Sequence, residues 1–114
     1  YRKDRVNFQK CDLKFIKINK EMVWCNDSSS IYYNKLTKIK KKFKFEKMFR
    51  NDYKYNFVIP LDYNRKNIKK NKGSAIFIHL TKDYKPTAGC IAISKSDFVI
   101  LLKIIKKNTY IKIF

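Results

Sequence analysis

Glycine and proline are so scarce in this chain that the few present mark where the backbone can turn sharply. The 114 residues include two of each, and all four lie between residues 60 and 89. The same region holds the only histidine, His79, and leads directly into Cys90. The four turn residues are Pro60, Gly73, Pro86 and Gly89. The stretch HLTKDYKPTAGC, residues 79–90, therefore gathers rare residue types around one imidazole and one thiol.

Two apolar runs near this stretch predict strands. NFVIPLDY, residues 56–63, reads as a strand, although Pro60 lacks an amide donor and favours an edge or a bulge. AIFIHL, residues 75–80, is a short apolar run that predicts a buried strand ending near His79. Residues 81–89 are predicted to form a loop. His79 and Cys90 would then lie at the two ends of that loop.

A helix is predicted after the loop because Ser94-Lys95-Ser96-Asp97 fits an acidic variant of the capping box. Apolar residues follow at helical spacing: Phe98, Leu101, Leu102 and Ile105. The helix is expected to run to about Lys107, where two lysines suit the negative end of its dipole. YIKIF, residues 110–114, predicts a final strand. Residues 1–35 are interpreted as irregular, with a polar turn at residues 26–30.

The length predicts a single domain spanning residues 1–114, with a modest core that buries about two-thirds of the unfolded surface. Hydrophobic residues make up 45% of the chain, which argues against disorder. No apolar run approaches the roughly 20 residues that a transmembrane helix needs.

The formal charge of +19 raises the possibility of a nucleic-acid partner. However, 24 of the basic residues are lysines and only 4 are arginines, the side chain best suited to phosphate and guanine recognition. Lysine, asparagine and isoleucine have codons rich in A and T, so codon bias explains much of the charge. We expect no nucleic-acid partner, and we interpret the basic run at residues 40–44 as a solvated loop or element end.

The three cysteines, Cys11, Cys25 and Cys90, leave the redox state open. Cys11 and Cys25 can pair in an oxidising compartment, or both can be small buried residues in the reduced state. A zinc site is not expected, because the chain has one histidine and no CxxC spacing.

His79 and Cys90 are candidates for a catalytic dyad. A thiol must ionise to attack, and a neighbouring imidazole can take its proton and lower the cysteine pKa. Gly89 allows a sharp turn, and the backbone amides of Gly89 and Cys90 can point at a developing oxyanion. The alternative is that His79 and Cys90 are ordinary core residues, and their spacing alone does not decide between the two.

The segment GSAIFIHLTKDYKPTAGCIAIS, residues 73–94, resembles the YkuD-type L,D-transpeptidase catalytic domain family. That family carries a histidine at a strand end and then a Ser/Thr-x-Gly-Cys signature, which here fall on His79 and residues 87–90. MVWCNDSSSIYYN, residues 22–34, and residues 49–64 resemble its Gram-negative branch. Two positions depart from the commonest signature. Ala88 stands where a second histidine is usual, and Ala92 where an arginine or asparagine is usual.

The resemblance implies a mainly β fold, a curved mixed sheet or sandwich with one helix after the cysteine loop. It also implies that the chain begins inside the domain and lacks one or more N-terminal strands. Cys90 would attack a peptidoglycan tetrapeptide stem and release D-alanine, with His79 as base and the amides of Gly89 and Cys90 as the oxyanion site. The carbonyl of Leu80 would orient the imidazole. The implied location is the periplasm or cell envelope, and no cofactor or metal is implied.

Further residues are assigned to substrate binding on the same resemblance: Trp24, Tyr33, Asn34, Ser74 and Thr87. Each has a plain structural alternative. Trp24 can be a core aromatic, Thr87 can satisfy the loop backbone, and Ser74 can simply begin a strand. Two other functions remain open. One is a peptidoglycan-binding module of the same fold without turnover, which Ala88 and Ala92 suggest. The other is a basic nucleic-acid-binding protein.

Overall fold

The computed structural model describes residues 1–7, 11–40 and 42–113, and these form two small sheets and one helix. The first sheet has the order β2-β1-β3 and the second the order β4-β5-β6. The strands are β1 (Met22–Cys25), β2 (Lys35–Lys38), β3 (Phe45–Lys47), β4 (Val58–Pro60), β5 (Phe77–Leu80) and β6 (Ile91–Ile93), and α1 is Lys95–Ile104. This arrangement confirms the predicted mainly β fold with a helix after the cysteine loop. No helix in the described part of the chain is long and apolar enough to cross a membrane.

Strand β1 of the first sheet lies within residues 1–35, which the sequence predicted to be irregular, so that prediction is wrong for β1. β1 pairs antiparallel with β2 and β3, and residues 23–25 are all buried. Its partners are short: β2, with the sequence KLTK, is largely exposed, and β3, with the sequence FEK, is mostly half-buried. Neither partner shows the polar–apolar alternation by which a half-buried strand is recognised. The basic run at residues 40–44 lies between β2 and β3 as expected, although Lys41 is outside the described residues.

The second sheet is mixed, as predicted, because β5 pairs antiparallel with β4 and parallel with β6. Every residue of β5 is buried, in agreement with the predicted buried strand. β4 is an edge strand that ends at Pro60, where a missing amide donor costs the sheet least. The predicted strand over residues 56–63 is therefore present but shorter than expected.

Helix α1 begins where the capping box predicted, with the Ser94 hydroxyl accepting a hydrogen bond from the Asp97 amide. Phe98 and Leu102 are its buried residues. The helix ends at Ile104, three residues before the predicted end, and the backbone of Ile105 is already extended. The backbone amides of the next two residues donate to side chains instead: that of Lys106 to the Thr109 hydroxyl and that of Lys107 to the Asp12 carboxylate. Lys103 is thus the basic residue in the last turn.

The predicted final strand is not formed by residues 110–113, and Phe114 lies outside the described residues. Tyr110 is 96% exposed and Ile113 is 66% exposed. An isolated segment with an alternating pattern is not stable as a strand unless a neighbour supplies backbone hydrogen bonds.

An apolar cluster anchors the two sheets to each other through Phe77, the first residue of β5, which is fully buried. Its ring centroid lies 4.9 Å from that of Trp24 on β1 and 5.7 Å from that of Tyr55. Both pairs are edge-to-face, the geometry that aromatic rings prefer. This packing fixes the strand that carries His79.

Candidate active site

The parallel pairing of β5 and β6 explains why His79 and Cys90 line the same cavity. Ile78 pairs with Ile91 and His79 with Ala92, so Cys90 lies level with Phe77 on the neighbouring strand. Side chains alternate between the two faces of a strand. Cys90 and His79 therefore project from the same face of the sheet. Both line one cavity of about 340 Å³.

His79 is held in one orientation by the backbone. Its Nδ1 lies 2.9 Å from the carbonyl oxygen of Leu80, the contact that the sequence analysis anticipated. Since a carbonyl oxygen only accepts, Nδ1 carries the proton and Nε2 keeps a free lone pair. The ring is 7% exposed and lies against Tyr55, with 5.7 Å between ring centroids. The contact with Leu80 thus fixes the orientation of the ring, and in the neutral tautomer Nε2 is the nitrogen that can accept a proton.

Cys90 carries a protonated thiol in this arrangement. Its Sγ lies 3.3 Å from the carbonyl oxygen of Ala75, to which the thiol donates. Burial raises the pKa of Cys90, the backbone of Phe77 lowers it, and the Glu46 carboxylate raises it further. The expected lowering of the cysteine pKa by an imidazole partner is therefore not seen: burial has the largest effect, and His79 is not among the groups that shift this pKa. A thiol that is neutral at rest must lose its proton during the reaction.

The backbone before Cys90 requires glycine for its conformation. Gly89 has a φ of +119°, which residues with a side chain rarely adopt. Space is not the limit, because a Cβ at this position would lie 3.5 Å from the Ile76 Cδ1, an ordinary contact. Conformation, not space, selects glycine at this position. Thr87 donates its hydroxyl to the carbonyl of Cys90 and so closes the end of the loop. Of its two predicted roles, this contact matches the one that satisfies the loop backbone.

One wall of the cavity is charged, and no sequence pattern predicted a role for its residues. Tyr55 is buried and donates its hydroxyl to the Glu46 carboxylate. Burial, followed by this hydrogen bond, raises the pKa of Tyr55. The Arg50 guanidinium lies 4.9 Å from the Tyr55 ring centroid and its Nη1 lies 3.8 Å from Glu46 Oε1. Lys54 completes this wall.

A weak signal for this wall was present in the sequence. Glu46 is the only acidic residue between positions 28 and 51, a region dominated by lysine. Tyr55 and Arg50 lie in the segment 49–64, which resembles the Gram-negative branch of the family. That resemblance implied no catalytic or binding role for either residue. Their convergence on the cavity depends on long-range packing that no local pattern encodes.

Three of the residues assigned to substrate binding lie elsewhere. Trp24, Tyr33 and Asn34 are 1%, 6% and 2% exposed and do not line this cavity. The Trp24 indole packs in the core and donates to the Asn34 side-chain oxygen at 3.0 Å. Ser74 does line the cavity, with its hydroxyl donating to the Cys25 carbonyl at 3.3 Å. The predicted cleft role of the three buried residues is corrected to one in packing and hydrogen bonding.

Cys11, Cys25 and Cys90 are all free thiols in this structure, so the possible Cys11–Cys25 disulfide is not formed. Within residues 1–7, 11–40 and 42–113, no three histidine, cysteine or acidic side chains lie close enough together to hold a metal ion.

Comparison with known proteins gives one match. Residues 15–113 match the family model YkuD, the L,D-transpeptidase catalytic domain. The matched region contains all six strands, the helix and the cavity with His79 and Cys90. No curated protein and no solved structure matches the chain.

Proposed function

Because the chain belongs to the L,D-transpeptidase catalytic domain family, we propose that it acts on peptidoglycan tetrapeptide stems with Cys90 as the nucleophile. The observation that carries this proposal is the placement of His79 and Cys90 on one face of the sheet at one cavity. The carbonyl of Leu80 leaves the Nε2 of His79 free to accept a proton. A base oriented in this way beside a thiol is what nucleophilic acyl transfer requires.

The proposed reaction begins with the neutral thiol. His79 Nε2 takes the proton of Cys90 as Sγ attacks the carbonyl carbon on the L-centre of the diamino acid. The backbone amides of Gly89 and Cys90 stabilise the oxyanion, a contribution of about 2.7–4 kcal/mol for one such donor in other enzymes. The tetrahedral intermediate collapses with cleavage of the C–N bond, and His79 returns the proton to the departing D-alanine amine.

The product of this first step is a thioester on Cys90. An amine from a second stem peptide then attacks it to form a cross-link, or water attacks it to leave a tripeptide. In both cases His79 removes a proton from the incoming group and the thiol is regenerated. The neutral resting thiol fits this scheme, because the proton that His79 takes from sulfur is the one that the leaving amine needs.

The charged wall of the cavity suits a substrate with ionised groups. Lys54 and Arg50 would attract the carboxylate of the terminal D-alanine, and Glu46 would attract an ammonium group. Thr87 and Ser74 would supply neutral hydrogen-bonding groups at the same cavity. Acting on peptidoglycan, the protein would be located in the periplasm or cell envelope.

A peptidoglycan-binding module without turnover is the second candidate function. Two observations favour it: burial raises the pKa of Cys90, and Ala92 pairs with His79 where the usual signature has an arginine or asparagine. Such a module would bind sacculi equally well after Cys90→Ala.

Mass spectrometry of peptidoglycan fragments separates the two candidates. Incubation with the protein is expected to remove terminal D-alanine and to produce tripeptides or new cross-linked dimers, and Cys90→Ala is expected to produce neither. The nature of the product identifies the acceptor as water or an amine. Unchanged fragments together with sacculus binding that survives Cys90→Ala would support the binding module instead.

A further inference from the structure

We propose that Asn34 is a positioning residue for the nucleophile: its buried amide fixes the backbone of Ala75, and the Ala75 carbonyl in turn holds the Cys90 thiol. The family resemblance implied a place for Asn34 in the substrate cleft, whereas the structure buries it at 2% exposure outside the cavity. The identity of Cys90 as the nucleophile rests on the proposed function, but the chain of contacts does not.

Asn34 uses its full hydrogen-bonding capacity. Its side-chain oxygen accepts from the Trp24 indole at 3.0 Å and from the Ala75 amide at 3.1 Å. Its side-chain nitrogen donates to the carbonyls of Tyr63 at 3.1 Å and Asn64 at 2.6 Å. An amide has two acceptor sites and two donors, and here all four are satisfied. The side chain therefore has one orientation that serves every partner, and it ties β1 to the turn at residues 63–64.

Ala75 needs such a restraint. Its φ of 56° lies in the left-handed region, which an alanine seldom occupies and leaves readily when nothing holds it. The bond from its amide to Asn34 provides the restraint on one side of the residue. On the other side, its carbonyl accepts the Cys90 thiol at 3.3 Å. A substitution at Asn34 should therefore affect the hydrogen bond of the Cys90 Sγ through one intervening residue, Ala75.

The contact with Ala75 has a chemical consequence for the thiol. A hydrogen bond donated by the thiol stabilises its neutral form, so releasing the carbonyl lowers the pKa of Cys90. It also frees Sγ to leave the position from which it faces the cavity. The charged and titratable groups that share this cavity with Cys90 are Glu46, Arg50, Lys54, Tyr55 and His79. None of them is bonded to Asn34, so a substitution at Asn34 leaves them in place.

The test is the alkylation rate of each cysteine by iodoacetamide as a function of pH, resolved by peptide mapping. Asn34→Gly removes all four side-chain hydrogen bonds and tolerates the left-handed φ of 56° at this position. At pH 8, Cys90 is expected to react about threefold faster or more, equivalent to a fall of half a unit in its pKa. Cys25 is an internal control, since it is fully buried. Its carbonyl accepts a hydrogen bond from the backbone N–H of residue 34 at 2.8 Å, which the substitution keeps. Cys25 should stay protected.

Asn64→Gly is the matched control. Asn64 is also left-handed, with φ of 51°, and its side chain binds the carbonyls of Lys69 and Gly73 but does not reach Ala75. Its replacement should leave the alkylation of Cys90 unchanged. Asn34→Asp keeps an oxygen for the Ala75 amide, so it should return the Cys90 profile towards that of the wild type. An unchanged Cys90 in Asn34→Gly, or an equal change in Asn64→Gly, would overturn the proposal.

If Asn34→Gly fails to fold, Cys25 becomes alkylated. In that case Trp24→Phe replaces Asn34→Gly as the test variant. That variant removes one donor from the same oxygen while keeping an aromatic ring in the core, so a smaller change in the same direction is expected and no change overturns the proposal. These measurements need no substrate. A faster Cys90 in a protein that never forms a thioester would refute the proposed function and leave the positioning role intact. Thioester formation by the wild-type protein, together with an unchanged rate of Cys90 alkylation in Asn34→Gly, would support the proposed function and refute the positioning role.

Discussion

Replacing Gly89 with alanine tests whether the backbone turn before Cys90 supports catalysis. At φ of +119° an alanine is strained by about 1–3 kcal/mol. The new Cβ would lie 3.5 Å from Ile76 Cδ1, so no clash adds to that strain. If the loop keeps its conformation, the melting temperature falls by about 4–12 °C, at roughly 4 °C per kcal/mol. If the loop relaxes instead, the amides of residues 89 and 90 turn away from the oxyanion, at a cost of about 10²–10³ in rate.

Gly73→Ala is the control for this variant. Gly73 has a similar φ of +113°, but a Cβ there would lie 2.7 Å from the Cε1 of Tyr63. The Tyr63 ring would have to move and give up its hydrogen bond to the Lys72 carbonyl. Backbone strain and this lost bond together make Gly73→Ala the more destabilising change, by about 0.5–1.5 kcal/mol. Gly73 does not line the cavity that holds Cys90, so this variant should leave thioester formation intact.

The assay pairs thermal unfolding with the rate of thioester formation from a tetrapeptide stem. Of the two variants, Gly89→Ala is expected to lose less thermal stability but more than tenfold in acylation rate. Gly73→Ala is expected to lose more thermal stability and to keep its acylation rate. Acylation of Gly89→Ala at the wild-type rate together with an unchanged melting temperature would refute the reasoning, because the alanine would then neither strain the loop nor displace the amides.

Three further results are expected. Cys90→Ala and His79→Ala should each abolish product formation and retain a cooperative thermal transition by circular dichroism; turnover in either variant would exclude the dyad. Tyr55→Phe should lower the free energy of unfolding by about 1.5–3 kcal/mol in urea, because Glu46 loses its buried hydroxyl donor; equal stability would show that water replaces that donor. Burial raises the pKa of Cys90, so the neutral thiol contributes stability that is present below the ordinary thiol pKa and is lost as pH rises through the raised value. Wild-type protein should therefore lose more stability than Cys90→Ala between about pH 8 and 10, and parallel losses would contradict the assigned burial effect.

Features encoded by neighbouring residues were predictable from the sequence. The helix start follows from the Ser94 hydroxyl and the Asp97 amide, which are three residues apart. β5 was recognisable because all of its residues are buried, which gives a continuous apolar run. The loop from His79 to Cys90 was recognisable from its turn residues.

Features that depend on distant partners were not predictable. β1 owes its existence to backbone pairing with two short strands, one of them exposed and the other half-buried, that carry no strand-like pattern. Residues 110–113 have a strand-like pattern but gain no partner. The sequence also could not say on which side of a sheet a side chain lies. The resemblance implied a cleft role for Asn34, although this residue is buried outside the cavity, and no local pattern marked Glu46, although it lines the cavity.

The most direct test of the central claim is the intact mass of the protein during incubation with a peptidoglycan tetrapeptide, followed by peptide mapping. We predict a thioester adduct equal to the tetrapeptide minus D-alanine, located on Cys90 and absent in both Cys90→Ala and His79→Ala. Release of D-alanine without any adduct on Cys90, or an adduct on Cys11 or Cys25 that persists in Cys90→Ala, would contradict the assignment of Cys90 as the nucleophile.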